Sequence, residues 1–449
     1  MQTTTYIQTH PLTEAFEYLQ HLLRLRLQQH FEAKAELPNV EGYEWLDRME
    51  AAHPLKEFMH THLLSHDECV LLLIALLPHL KPHFFDSIIE RYLPEPGDFP
   101  QIGGTRGKQF RGFLPTGETA LFLLGGNDMN KRLEIEELFE ADHFFAKKNI
   151  LYLETPPDRE PQMCGRIMLS QAYIDRFTTG KVHRPKFSMD FPAQYIETQL
   201  EWEDLVLNQQ TRNQIGELER WIKHGNELMN DWGMGRKLKQ GYRALFHGPP
   251  GTGKTLTASL LGKYTGRDVY KIDLSMVVSK FIGETEKNLS KLFAQAENKD
   301  WILFFDEADA LFGKRTNVRD AHDKYANQEV SYLLQRVENY NGLVILASNF
   351  KSNIDDAFVR RFQSIIYFPI PKTKERLILW QQAFPQAAQL SASVNLPLLA
   401  KKYELTAASI MNIVQYCCLC SLDQGGQAIS MDDIVYAIKR EYGKEGKML

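Results

Sequence analysis

Residues 248–255 read Gly248-Pro249-Pro250-Gly251-Thr252-Gly253-Lys254-Thr255 and fill the pattern G-x-x-x-x-G-K-[ST] at every fixed position. This octet limits what the chain can fold into more than any other stretch. Its glycines permit a loop whose backbone N–H groups turn inward around polyphosphate oxygens. Lys254 sets a cation against the outer phosphates, and the Thr255 hydroxyl suits a magnesium shell. The flanks agree with that reading. Tyr242–Phe246 is a mostly apolar run of strand character, and Leu256–Leu261 reads as a helix whose positive end would face the anion. A Gly/Pro turn that matched by chance would have no reason to join a strand to a helix.

At 449 residues the chain exceeds one ordinary core, which predicts two or three domains. Apolar residues make up 43% and charged residues 24%, the balance of a globular protein. A net charge of −5 gives no electrostatic reason to expect nucleic acid as the main partner. The cysteines are Cys69, Cys164, Cys417, Cys418 and Cys420, the last three in one helical stretch. Buried free thiols in a reducing, cytoplasmic setting are expected. The first residues, Met1–Tyr6, lack a basic segment followed by an apolar one, so no signal peptide is expected. The longest apolar run, Cys69–Leu77, is about half of what a membrane span needs and predicts a buried helix.

Leu12, Phe16, Leu19 and Leu23 recur at helical spacing and predict a helix over 12–34. A second helical block covers 55–80. Dense Pro and Gly from Leu93 to Gly126 predict turns and short strands. Residues 127–145 read as helical and 150–192 as short strands and loops, with the main linker near 181–196. Beyond 197, strand-like runs at 242–246, 269–273, 301–305, 343–347 and 364–370 alternate with helical stretches. That alternation predicts an α/β fold with a doubly wound parallel sheet. After Pro371 the strands stop, and helices are expected near 373–385, 394–402, 407–422 and 431–442. The expected domains are a mainly helical N-terminal region (1–190), an α/β core (197–371) and a helical lid (372–449).

Trp301–Phe305 is an apolar run that ends in Asp306 and Glu307. Carboxylates at the C-terminal end of a parallel strand stand where such sheets place ligands. Asp306 suits magnesium, mostly through water, and Glu307 suits polarisation of an attacking water. An Asp-Glu pair alone would read as a helix cap; the octet upstream changes that. Leu343–Ser348 leads to Asn349, whose amide is placed to orient the same water. Arg360 and Arg361 follow. Paired surface arginines are ordinarily just solvated, but here they suit an arginine finger, which acts on a neighbouring subunit's phosphate.

Phosphate loop, Asp-Glu strand, Asn strand and Arg-Arg pair occur in the order of the AAA+ ATPases. Residues 200–445 resemble the AAA subgroup that includes the spastin- and katanin-like remodellers. Ser279–Leu289 resembles that subgroup's first pore loop almost residue for residue, with Lys280, Phe281 and Ile282 implied to face a central channel. An aromatic between a basic stem and an apolar residue can grip an extended polypeptide. The resemblance implies a P-loop sheet of order 5-1-4-3-2, a homo-hexameric ring, and Mg2+ and ATP as cofactors. The nucleotide contacts it implies run from Gly248 to Leu256 and include Leu256 itself and Asp306. Lys314–Asp323, with Asp320 and His322, looks like a second pore loop. Ala407-Ala408-Ser409 replaces the family's Gly-Ala-Asp or Gly-Ala-Ser, which puts fine positioning of the nucleotide in doubt. No H-E-x-x-H occurs.

The stretches Leu63–Leu76 and Phe110–Ala120 look like a winged-helix region found before bacterial AAA modules, some of which accompany contractile injection systems. Gly103–Lys108 suits an anion nest or a flexible wing. The leading expectation is a ring-forming ATPase that remodels, unfolds or disassembles a protein client, directly or through an adaptor. A DNA-associated switch read by the winged helix and a nucleotide-gated assembly scaffold are the rivals.

Overall fold

Two units divide the chain, Met1–Arg184 and Pro185–Leu449. The computed structural model describes residues 12–32, 44–49, 53–93, 100–157, 160–182, 184–188, 191–274, 284–297, 299–308, 321–349, 359–444 and 446.

The N-terminal unit is mainly helical. Its helices are α1 (Thr13–Glu32), α2 (Glu44–Arg48), α3 (Pro54–Thr61), α4 (His66–Leu80), α5 (Phe84–Ile89), α6 (Gly117–Ala120), α7 (Met129–Glu137), α8 (Phe144–Lys147) and α9 (Gln171–Thr179). Strands β1 (Leu151–Leu153) and β2 (Ile167–Leu169) pair antiparallel between α8 and α9. The expected block over 55–80 is two helices. The Ser65 hydroxyl accepts from the Glu68 amide and the Glu68 carboxylate accepts from the Ser65 amide, a reciprocal cap that starts α4 anew. Just before it, Leu63 turns through φ +51°, which a continuous helix would not allow. The run Cys69–Leu77 is buried along its whole length and forms the axis of this unit's core, against Leu19, Leu23 and Phe58. The thiols are less uniform than expected. Cys69 and Cys417 are buried, with burial as the first cause pushing each up to about 12, whereas Cys164 is exposed.

The second unit carries a six-stranded sheet in the order β3-β5-β6-β7-β4-β8. The strands are β3 (Ala193–Ile196), β4 (Tyr242–His247), β5 (Val269–Ile272), β6 (Ile302–Phe305), β7 (Leu343–Ser348) and β8 (Ser364–Tyr367). The last five are parallel neighbours, and β3 is antiparallel to β5. Residues 193–196 were expected in the linker, and the structure corrects this: they are an edge strand. A four-residue edge strand beside Pro192 has no sustained alternation in sequence, and its partner β5 decides its state.

Adjacent side chains along the inner strands point to opposite faces, and both faces are covered. Leu303 and Phe305 pack with α12 (Glu284–Ala296) and α13 (Ala321–Asn339). Ile302 and Phe304 pack on the other face with α10 (Gln209–Asn230) and α11 (Lys254–Thr265). Fully apolar strands such as Ile302–Phe305 follow from burial on both sides, each such side chain contributing roughly 1.5–3 kcal/mol. Four helices complete the described part of the unit: α14 (Thr373–Ala383), α15 (Leu396–Lys402), α16 (Ala407–Asp423) and α17 (Met431–Lys444). They enclose a separate core around Trp380, Ile410 and Ile438. The buried Arg376 ties α14 to α15 by donating to the Ala400 carbonyl at 2.8 Å.

Candidate functional site

The octet forms the turn from β4 into α11. Gly248 sits at φ +146°, and a Cβ there would lie 2.1 Å from the Phe368 carbonyl oxygen. Gly251 sits at φ +73°, against Thr406 and Ala408 at the start of α16, and its carbonyl accepts from the Ala408 amide at 3.2 Å. Only glycine fits such approaches without backbone movement. The loop is also braced from within, since Thr252 donates its hydroxyl to the Pro249 carbonyl at 2.8 Å. Lys254 opens α11 and is 8% exposed. Its ammonium donates to the carbonyls of Gly248 at 2.6 Å and Pro249 at 3.0 Å, and to Asn349 Oδ1 at 3.3 Å. The contact with Asn349 joins the phosphate loop to the end of β7. Thr255 and Leu256 lie in the first turn of α11, both partly exposed, with Pro250 in the loop's turn.

Asp306 and Glu307 follow β6 directly. Asp306 Oδ1 accepts from the Glu307 amide at 3.0 Å, and Asp306 Oδ2 pairs with Lys271 Nζ at 2.7 Å. Glu307 is exposed and holds φ +50°, a left-handed conformation costly for a residue with a side chain. Ala308 donates to the Ala347 carbonyl at 2.8 Å, which ties this strained turn to β7. Phosphate loop, carboxylates and Asn349 thus stand together at the C-terminal ends of β4, β6 and β7. A carboxylate at Asp306 and a hydroxyl at Thr255 are hard oxygen donors, the set that suits magnesium.

Arg360 and Arg361 stand at the other end. They precede β8, whose first residue, Ser364, is paired with Ala244 near the start of β4. The six residues of β4, at about 3.3 Å each, put roughly 20 Å between the arginines' end and the phosphate loop. Both are exposed. Arg361 pairs with Glu338 at 2.5 Å, and Lys239 approaches the same carboxylate at 3.5 Å. Lys280, Phe281 and Ile282, and Lys314–Asp320, lie outside the described residues.

Two features escaped sequence reasoning. A small, mostly apolar cleft opens beside Thr252, lined by Val206, Leu207, Ile370, Leu379 and Ala407 among others. Its lining comes from four segments far apart in sequence, so no local pattern announces it. Arg243, inside β4, is 3% exposed and donates to the carbonyls of Gln240, Gly241, Val337 and Glu338. It satisfies the C-terminal carbonyls of α13, and a charge within an apolar strand was the available signal.

The fold and this convergence define a P-loop nucleotide-binding domain. More particularly, it is an AAA ATPase domain: residues 244–370 match the family model described as "ATPase family associated with various cellular activities (AAA)". The matched span ends before the four C-terminal helices and leaves the N-terminal unit outside. The chain is similar to the "Proteasome-activating nucleotidase" of Aeropyrum pernix, 32% identical over 204 residues, covering 44% of this chain and 50% of that protein. It is similar to the "Cell division protein C" of Sulfolobus acidocaldarius, 35% identical over 181 residues, covering 38% and 48%. It also resembles an uncharacterized AAA family ATPase of Sinorhizobium fredii, 30% identical over 190 residues, covering 42% and 55%. The chain thus spans about half the length of the curated relatives it matches. Among the described residues, no helix is long and apolar enough to cross a membrane.

Proposed function

We propose that the chain is a ring-forming, cytoplasmic ATPase that hydrolyses Mg-ATP between subunits to unfold, remodel or disassemble protein. One observation carries this reading: the arginines and the phosphate loop occupy opposite ends of the β4–β8 pair. A single chain therefore supplies a binding loop with its lysine, a carboxylate for the water and an amide, but its arginine pair lies at the other end of the strands. A second copy would supply the missing charge, as the expected hexamer requires.

In this reading the loop amides and Lys254 hold the outer phosphates, and the apolar cleft beside Thr252 takes the base. Thr255 and Asp306 would hold magnesium, which when bound neutralises charge on the transferring phosphate. Glu307 accepts a proton from the attacking water, and its held backbone turn fixes where the carboxylate starts. Asn349 orients that water, and its contact with Lys254 keeps the amide in register with the loop. Arg360 and Arg361 reach the neighbouring site and stabilise charge in the transition state. The names of similar proteins point to protein handling, and the Lys280-Phe281-Ile282 stretch suits a grip on an extended chain. The N-terminal unit, read as winged-helix-like, would bind the client or an adaptor.

The test is ATP-dependent unfolding of a tagged fluorescent protein. Phe281→Ala is expected to bind ATP normally and to lose unfolding. Unfolding at the wild-type rate by this variant would remove threading from the mechanism.

A further inference from the structure

Strand β5 reads Val269-Tyr270-Lys271-Ile272, and all but Lys271 are buried. Lys271 lies inside the sheet, in register with Gln194 of β3 and Phe304 of β6. By the alternation of the strand it shares a face with Val269, and so with Ile302, Phe304 and helix α11. A cation among such neighbours gives up part of its hydration, which a partner offsets. That partner is Asp306, whose Oδ2 is 2.7 Å from the ammonium. The other oxygen takes the Glu307 amide. Each oxygen of the carboxylate assigned to the metal thus already has a partner within the chain.

We infer that Lys271 is the resident counter-ion of Asp306 and competes with Mg2+ for that carboxylate, so that this lysine sets the magnesium concentration at which nucleotide is held tightly. The inference rests on the reading of Asp306 as the metal-side carboxylate. An ammonium in contact with Asp306 and a hydrated dication on the same group repel each other, so one must yield. Lys271 is the group able to yield. Its side chain is 38% exposed and flexible, and swinging out returns the charge to water. Lys254, held by two loop carbonyls and 8% exposed, has no such exit. The arrangement keeps Asp306 neutralised without metal and raises the magnesium needed to recruit it.

The experiment titrates MgCl2 against binding of a fluorescent, non-hydrolysable ATP analogue to the full chain, in wild type, Lys271→Met, Lys271→Gln and Lys271→Arg. The half-saturating magnesium is expected to fall about two- to fivefold in the Met and Gln variants, the size set by a partly exposed ion pair that no longer has to be broken. Lys271→Arg retains the wild-type requirement. Thermal melting without magnesium is recorded in parallel. An unmoved or raised magnesium requirement in the neutral variants overturns the inference alone, including where melting falls, because the pair is then only a brace between β5 and β6. Failure of the wild type to bind the analogue at any magnesium concentration overturns the phosphate-site reading and this inference together.

Discussion

The two ends of the β4–β8 pair differ in how their polar groups are used. At the C-terminal end, backbone and side chains are cross-bonded into one piece: Lys254 to Gly248, Pro249 and Asn349, and Ala308 to Ala347. At the N-terminal end, the buried Arg243 and the Arg361–Glu338 pair close the sheet, while Arg360 is directed to solvent. The first arrangement is built to receive an anion from outside the chain. The second offers a cation that its own chain does not consume at the phosphate loop. A sheet that receives an anion at one end and offers arginines at the other, about a strand length apart, fits the proposed head-to-tail repetition, in which each copy completes the next.

Changes at the receiving end should act first, on nucleotide binding itself. Lys254→Ala is expected to weaken nucleotide binding by about a hundredfold, the loss of charge-assisted contacts to phosphate, read by fluorescent-nucleotide titration. Near-wild-type affinity would break the assignment of that end. Glu307→Gln should keep binding and lower turnover by about 10²–10⁴, the usual range for loss of a general base. Arg360→Ala should lower turnover comparably while leaving binding to an isolated chain unchanged. Mixing Arg360→Ala with Glu307→Gln subunits should then restore turnover, because each chain supplies what the other lacks; two inactive variants that stay inactive when mixed would contradict the separation of roles. Glu338→Gln releases Arg361 and should cost at most about 1 kcal/mol in chemical denaturation, since this ion pair is only partly buried.

The smallest effect is a control away from both ends. In the N-terminal unit a hydrogen bond from His66, and after it one from Lys131, hold the Asp67 carboxyl below the usual range despite burial. A lowered folded value means the stabilisation is present above the ordinary carboxylate pKa, near ~3.9, and is lost as pH falls through the folded value. Asp67→Asn should therefore melt below wild type at neutral pH by an amount equivalent to about 1 kcal/mol or less, and the two should converge in acid. A difference that persists once Asp67 is protonated would assign the effect to packing instead.

Much of the second unit was legible because its signals are local. An octet between a strand and a helix, and an apolar run ending in Asp306-Glu307, each lie within a dozen residues, and burial on both faces makes strands β4 to β7 nearly continuous in apolar character. Edge strand β3 was not legible, because its pairing with β5 rather than its own composition makes it a strand. The break between α3 and α4 was written in Ser65-x-x-Glu68 but masked by the strong apolar run that follows. The apolar cleft escaped because its lining residues belong to segments far apart in sequence. Lys271 escaped for a related reason: the lysine was visible, but its partner Asp306 lies on the next strand.

The central claim, that hydrolysis needs groups from two copies of the chain, is tested most directly by ATPase rate per subunit against protein concentration, for wild type and for the Arg360→Ala, Arg361→Ala double variant. A specific rate that rises with concentration to a plateau in wild type and stays near zero throughout in the double variant is the predicted result. A rate per subunit that is constant down to the most dilute sample, and the same in both proteins, would contradict it.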